Sequence, residues 1–241
     1  MAGLAEIWVY LAREPLAALT ATLLAWLAAT ALAARARWHP AANPVLIAVL
    51  LLAGGLLWLG IDYASYFAGA QFVHFLLGPA TVALAVPLHR QWLEVRHSAV
   101  AASASVVCGG CFAALAGIGI GIGIGLDAAP AVTASLAPRS VTTPVAMGVA
   151  AAIGGLPGLT AAIVICSGIV GAALGPLVLD LAGVRDRRAR GLAMGTAAHG
   201  IGTARAISED QTTGAFSGLA MGLNALGTAL LLPLLWRLLA G

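Results

Sequence analysis

From residue 16 to residue 34 the chain carries no charged side chain, and apolar runs of this kind recur to its end. About 20 apolar residues are what an α-helix needs to cross the ~30 Å hydrocarbon core of a bilayer. Within that core every backbone N–H and C=O must be satisfied internally, which leaves only helices and closed barrels. These runs are continuous rather than alternating, so they imply an all-α integral membrane protein in a lipid bilayer. Only 9% of the residues are charged, against roughly 25% in a soluble domain.

Eight apolar runs are legible, at about 16–34, 45–60, 67–88, 98–126, 132–153, 159–181, 191–207 and 215–235. They predict about seven to eight transmembrane segments in a single domain, 1–241. The three cysteines are an odd count in apolar surroundings, which argues against a disulfide framework. Cys108-Gly109-Gly110-Cys111 has redox spacing but reads better as buried thiols inside a membrane helix. No basic tract with interleaved aromatics suggests nucleic acid, and no metal, haem or nucleotide motif suggests a cofactor. The N-terminal stretch does not read as a cleaved signal peptide.

Two runs are interrupted by polar residues. Arg139-Ser140-Val141-Thr142-Thr143-Pro144 breaks the fifth, and Thr196 to Arg205, with His199, breaks the seventh. Charge at membrane depth is expensive and normally faces a cavity or marks a functional path. Loop charges constrain the topology, because arginine-rich loops favour the cytoplasmic side. Arg35/Arg37, Arg90/Arg96 and the Arg185 to Arg190 cluster cannot all be cytoplasmic if every run crosses. The conflict disappears if the fifth run is broken or re-entrant, which is tolerated where backbone lines a polar cavity.

That topology gives a first helix (1–40), a first repeat (41–127), and a re-entrant segment followed by a second repeat (128–241). Segments six to eight then run opposite to segments two to four, each set with an interrupted middle member. Two inverted repeats with broken helices are a transporter signature, with the site near the bilayer midplane. The alternation Gly117 to Gly125 offers a small-residue face for close helix packing, or a sliding surface.

Arg139 can grip a carboxylate through parallel N–H donors, with the Ser140, Thr142 and Thr143 hydroxyls beside it and Pro144 breaking the helix. Its bland alternative is a snorkelling arginine near Asp127. Gly78, Pro79 and Thr81, like Gly200, Gly202 and Thr203, suit half-helix starts whose amides favour anions. Arg205 can bind an anion or simply pair with Glu209 one turn on. His199 can carry a proton or be a hydrogen-bonded structural residue. Asn224 adds one polar contact or caps helix packing. The broken runs hold no acid before Glu209, so an anionic ligand fits better than a cation. Ser217 with His199 is a remote alternative as an intramembrane serine hydrolase; the chain is otherwise not expected to be an enzyme.

The motifs resemble one family. Phe75-Leu76-Leu77-Gly78-Pro79-Ala80-Thr81 and its continuation to Leu88, Arg139 to Gly148, Arg190 to Ala204 and Gly214 to Gly222 are similar, in order, to the LrgB/CidB pattern. They cover most of the chain from about residue 45. The family more often has serine where this chain has Ala198. The resemblance implies a multi-pass protein of the bacterial cytoplasmic (inner) membrane. It implies either an antiholin-like modulator of murein hydrolases and lysis, or a carrier of small monocarboxylates of the glycolate, glycerate, lactate or pyruvate type. It implies a small LrgA/CidA-type membrane partner. A homo-oligomer is expected, and the partner in transport is a small organic anion.

Overall fold

The structure is a computed structural model, and it describes residues 15–36, 42–76, 79, 89–90, 92–123 and 130–240. All regular elements among these are helical. Among the described residues four helices are long and apolar enough to cross a bilayer: Leu16–Arg35, Ala99–Ile122, Pro157–Leu181 and Gln211–Leu238. The chain forms two compact units, Met1–Ala83 and Leu84–Gly241.

In the first unit, α1 (Pro15–Arg35) packs against α2 (Pro44–Leu59) and α3 (Tyr63–Phe75). Asn43 caps α2 by accepting the Val45 and Leu46 amides, and Gly60 ends it in a left-handed conformation, φ 66°. Such a cap favours glycine because a Cβ is unwelcome there. Asp62 accepts the Ser65 amide, so α3 starts before the apolar run that announces it.

The second unit contains α4 (Trp92–His97), α5 (Ala99–Gly123), α6 (Pro130–Leu136), α7 (Thr143–Ala152), α8 (Pro157–Leu181), α9 (Arg187–Glu209) and α10 (Gln211–Ala240). Two of its segments are hairpins. The first is α6, a non-helical run at 137–142, and α7. After α7 the chain returns to where it left: the Leu156 amide donates to Ser135 Oγ at 2.7 Å, and Gly155 abuts the Ala134 backbone. At about 1.5 Å per residue the ten residues of α7 reach only ~15 Å, half a bilayer core.

The second hairpin is α9. Its 23 residues would span ~34 Å if straight. Instead Arg187 Nη1 reaches Asp210 Oδ2 at 3.0 Å, and Arg190 Nη2 lies 3.7 Å from Glu209 Oε2. The fold-back happens at His199, whose φ of 41° and ψ of −133° are non-helical. A side chain at such dihedrals costs of order 1–3 kcal/mol, sustained only by the surrounding structure. Gly202 then nests against Ala198 and the Met194 carbonyl of the first arm.

Helix α10 follows the first arm of α9 in parallel, with Gly191 on the Thr213 carbonyl and Gly195 on the Ser217 carbonyl. Helix α8 lies antiparallel to that arm, with Gly175 on Met194, Gly171 on Ala198 and Gly168 on the His199 ring. The two hairpins therefore approach the middle of α8 from opposite ends, because Val141 and Ala146 of the first meet Val164 there. Along α5, Gly117 abuts Leu136 and Gly121 abuts Thr133, so α6 runs antiparallel to it across a glycine face.

Three expectations change. The seventh run returns to its starting end instead of crossing, because the positive φ at His199 reverses the chain. As a result α10 runs parallel to α5, with Val106 near Phe216 and Ala220 and Ile118 near Leu232 and Trp236. Segments four and eight were expected to run in opposite senses. The cysteines are free, but of the pair expected to be buried Cys108 is exposed and Cys111 half-buried; Cys166 is exposed as well.

Candidate functional site at the hairpin tips

The tips meet at mid-depth of the long helices. Each tip ends one short helix and begins another, so it leaves both carbonyl and amide groups without helical partners. The carbonyls are capped by side chains. Ser167 Oγ donates to the Arg139 carbonyl at 3.1 Å. Asn224 Nδ2 donates to the Ser140 carbonyl at 3.2 Å and to the Thr196 carbonyl at 3.1 Å. Thr203 Oγ1 donates to the His199 carbonyl at 2.8 Å.

The amide ends are treated differently. Thr142 stands at the N-cap of α7 but makes no side-chain cap, and the Thr142 and Thr143 amides bond to no described residue. Pro144 sits in the first turn of α7, where its missing N–H costs nothing. It opens the second arm, and the break itself lies before it. The second arm of α9 likewise begins at the tip. Two half-helix starts thus face the middle of the unit from opposite sides, the ends at which negative groups are favoured.

Arg139 is half-buried, and its Nη1 donates to the Ala113 carbonyl in mid-α5 at 2.9 Å. No described Asp or Glu pairs with it. Its Nε and Nη2 bond to no described residue. Asp127, the neighbour invoked for a snorkelling arginine, lies outside the described residues. Ser140 is buried, and Thr142 and Thr143 are partly exposed.

His199 is 3% exposed. Its Nε2 stands 3.0 Å from the Val164 carbonyl, so that nitrogen carries the proton and Nδ1 is the acceptor. Ser217 Oγ pairs with Thr203 Oγ1 at 2.9 Å and not with His199. No Ser–His couple of the hydrolase kind forms among the described residues.

Arg205 lies away from the tips. Its Nε is 3.6 Å from Glu209 Oε1, one turn along the second arm, near the hairpin base where Arg190 also reaches Asp180 at 2.6 Å. Gly200, Gly202 and Thr203 sit directly after the break. Gly78 and Thr81 lie outside the described residues, and Pro79 is exposed in the first unit. Sequence reasoning missed Ser167, Val164 and Ala113, and placed Thr196 in the interrupted run without a role. Ser167 was visible as a hydroxyl within an apolar run; the other three contribute only backbone carbonyls. Among the described residues no group of His, Cys, Asp or Glu could hold a metal ion.

Known proteins share this sequence pattern. The pattern of the LrgB-like family matches residues 22–238. The chain is 36% identical over 193 residues to Bacillus subtilis YwbG, described as an uncharacterized protein, covering 80% of this chain and 85% of that one. It is 34% identical over 182 residues to YxaC of the same organism, also described as uncharacterized, covering 76% and 78%. It is 32% identical over 197 residues to the holin-like protein CidB of Staphylococcus epidermidis, covering 82% and 85%. No solved structure matches. The chain belongs to the LrgB-like family of membrane proteins.

Proposed function

We propose that this protein is a secondary transporter of small monocarboxylates, of the glycolate, glycerate, lactate or pyruvate type, working by alternating access. The observation that carries the reading is the asymmetry at the hairpin tips. Side-chain donors cap the carbonyl ends there, while Arg139 lacks a carboxylate partner and the Thr142 and Thr143 amides are open. Such a place favours one negative group and repels none. One arginine suits one carboxylate, gripped by its free Nε and Nη2 edge while Ala113 steadies Nη1. His199, with Nδ1 as a bare acceptor, is the group we read as able to take a coupled proton. Chemistry on the ligand is not part of the reading; the protein is not an enzyme.

In a bilayer we count seven to eight segments, with the two hairpins dipping in from opposite faces. The inverted relation then links the first hairpin plus α8 to the second hairpin plus α10. This keeps the Arg185 to Arg190 loop cytoplasmic, as the charge rule asks. A bacterial inner membrane, a small LrgA/CidA-type partner and a homo-oligomer belong to the same reading.

The test is uptake of labelled glycolate and pyruvate by proteoliposomes, with and without the small partner. Arg139→Ala is expected to lower uptake about tenfold or more, since a charge-assisted hydrogen bond contributes ~1.5–3 kcal/mol. Full uptake in that variant removes Arg139 from the site.

The holin-like name of the CidB relatives favours a second reading, an antiholin-like regulator of murein hydrolase activity that transports nothing. It predicts no uptake under any condition and no thermal stabilisation by short organic acids.

A further inference from the structure

Asn224 sits near the middle of α10 and is 3% exposed. Its Nδ2 faces two carbonyls that belong to different hairpins. The Ser140 carbonyl, at 3.2 Å, lies in the non-helical run of the first hairpin. The Thr196 carbonyl, at 3.1 Å, lies in the first arm of the second. In an unbroken helix Thr196 would accept from the amide of Gly200, but the chain reverses at His199 between them. Both carbonyls are thus left over by the breaks, and one side chain takes both. Ser140 Oγ, at 3.4 Å, is a marginal third acceptor.

The donors of Asn224 are therefore spent on backbone and are not available to a bound anion. The approach is also close on the other side. A Cβ at Gly110 would fall 2.5 Å from Asn224 Oδ1, so only glycine at that point of α5 lets the amide sit where it does. Glycine at 110, the break before α7 and the break at His199 are three separate features of the chain. They converge on one amide.

We propose that Asn224 is a positioning residue that couples the two hairpins. Its amide is the clasp that holds the tips in one relative arrangement, so that displacement of one tip is passed to the other. This deepens the reading of the tips as the transport site and rests on it for its purpose, though not for its test.

The test measures the distance between the hairpins. Cys108, Cys111 and Cys166 are first replaced by alanine in the full chain. Nitroxide labels are then placed at Gly148→Cys, where a Cβ meets nothing within 4 Å, and at Ala197→Cys, which is exposed. Pulsed electron paramagnetic resonance in lipid nanodiscs reads the distribution. With Asn224 present a single peak is expected. In Asn224→Leu, which keeps the volume but has no donors, a second and longer peak appears. Asn224→Gln restores both N–H donors on a longer arm and returns the distribution towards one peak, which a packing role would not do.

An unchanged single peak in Asn224→Leu overturns the proposal. A control pair, Ala189→Cys with Ser208→Cys, spans the base of the second hairpin. If that pair broadens too, Asn224 builds the hairpin rather than joining it to the other, and the proposal also fails. Glycolate uptake is read in proteoliposomes reconstituted from the same purified proteins. Its absence from the protein with Asn224 removes the transport reading and leaves the clasp standing.

Discussion

Replacing Gly117 by alanine would wedge α5 from α6. A Cβ there falls 2.6 Å from the Leu136 carbonyl oxygen and 2.5 Å from Arg139 Nη1. Ordinary contact begins at 3.4 Å, so the carbonyl must retreat by about 0.8 Å, and as backbone it has no rotamer to yield. Overpacking of this kind costs ~1–3 kcal/mol. Displacing the guanidinium also weakens its bond to the Ala113 carbonyl, a contact of the class that contributes ~1.5–3 kcal/mol. The opposing term is helix propensity, about 1 kcal/mol in favour of alanine. The net expectation is destabilisation by ~1–4 kcal/mol. Gly119 stands two residues away in the same Gly-Ile alternation, yet a Cβ there meets nothing within 4 Å. Alanine at 119 keeps only the propensity gain and should stabilise by up to ~1 kcal/mol. Thermal unfolding of the two variants in detergent, followed by a thiol-independent probe, reads the difference. Gly117→Ala should melt below the parent protein and Gly119→Ala at or above it. Equal shifts would refute the antiparallel register of α5 and α6.

The second hairpin makes a geometric prediction: Arg187→Cys with Asp210→Cys, in a background without the native cysteines, should cross-link on mild oxidation. A straight helix would hold these positions ~34 Å apart and give no cross-link. Asp186 caps α9 by accepting the Arg188 and Ala189 amides. Asp186→Ala should cost ~1 kcal/mol at neutral pH, seen as a lower melting temperature. Hydrogen bonds from Arg188 hold this carboxyl at about 2, below its ordinary range. Its contribution is therefore complete above the unfolded value of ~3.9 and is lost as pH falls towards about 2, where the two proteins should converge.

The long helices were legible in the sequence to within five residues at each end. The runs at 16–34, 45–60, 98–126, 159–181 and 215–235 became Pro15–Arg35, Pro44–Leu59, Ala99–Gly123, Pro157–Leu181 and Gln211–Ala240. Apolar length fixes such a helix locally, since its backbone bonds close within the segment. The break at Arg139 was legible too. An arginine, three hydroxyl residues and a proline within six positions are costly inside a continuous membrane helix, and a break relieves that cost. The glycine face of α5 could be read from spacing alone, as residues four apart share one side of a helix.

The path of the seventh run was not legible. Its polar residues announced an interruption, but a kinked crossing and a full reversal have the same composition. The difference is the backbone at one residue, His199, held at a positive φ by the packing around it. Arg205 was legible in part. Its pairing with Glu209 one turn on follows from spacing along one helix face, but only the fold-back brings Glu209 beside Arg190 at the hairpin base. Asn224 was legible only as an isolated amide in an apolar helix. Its two partners lie 84 and 28 residues away, on segments that meet only because each hairpin turns back at mid-depth. Hydropathy and polar interruptions were enough to establish a helical membrane protein, the places of its long helices and the places where they break. Which carbonyls the breaks leave open, and which distant side chain closes them, emerged only when the chain was folded. Those bonds exist between segments that hydropathy treats as independent.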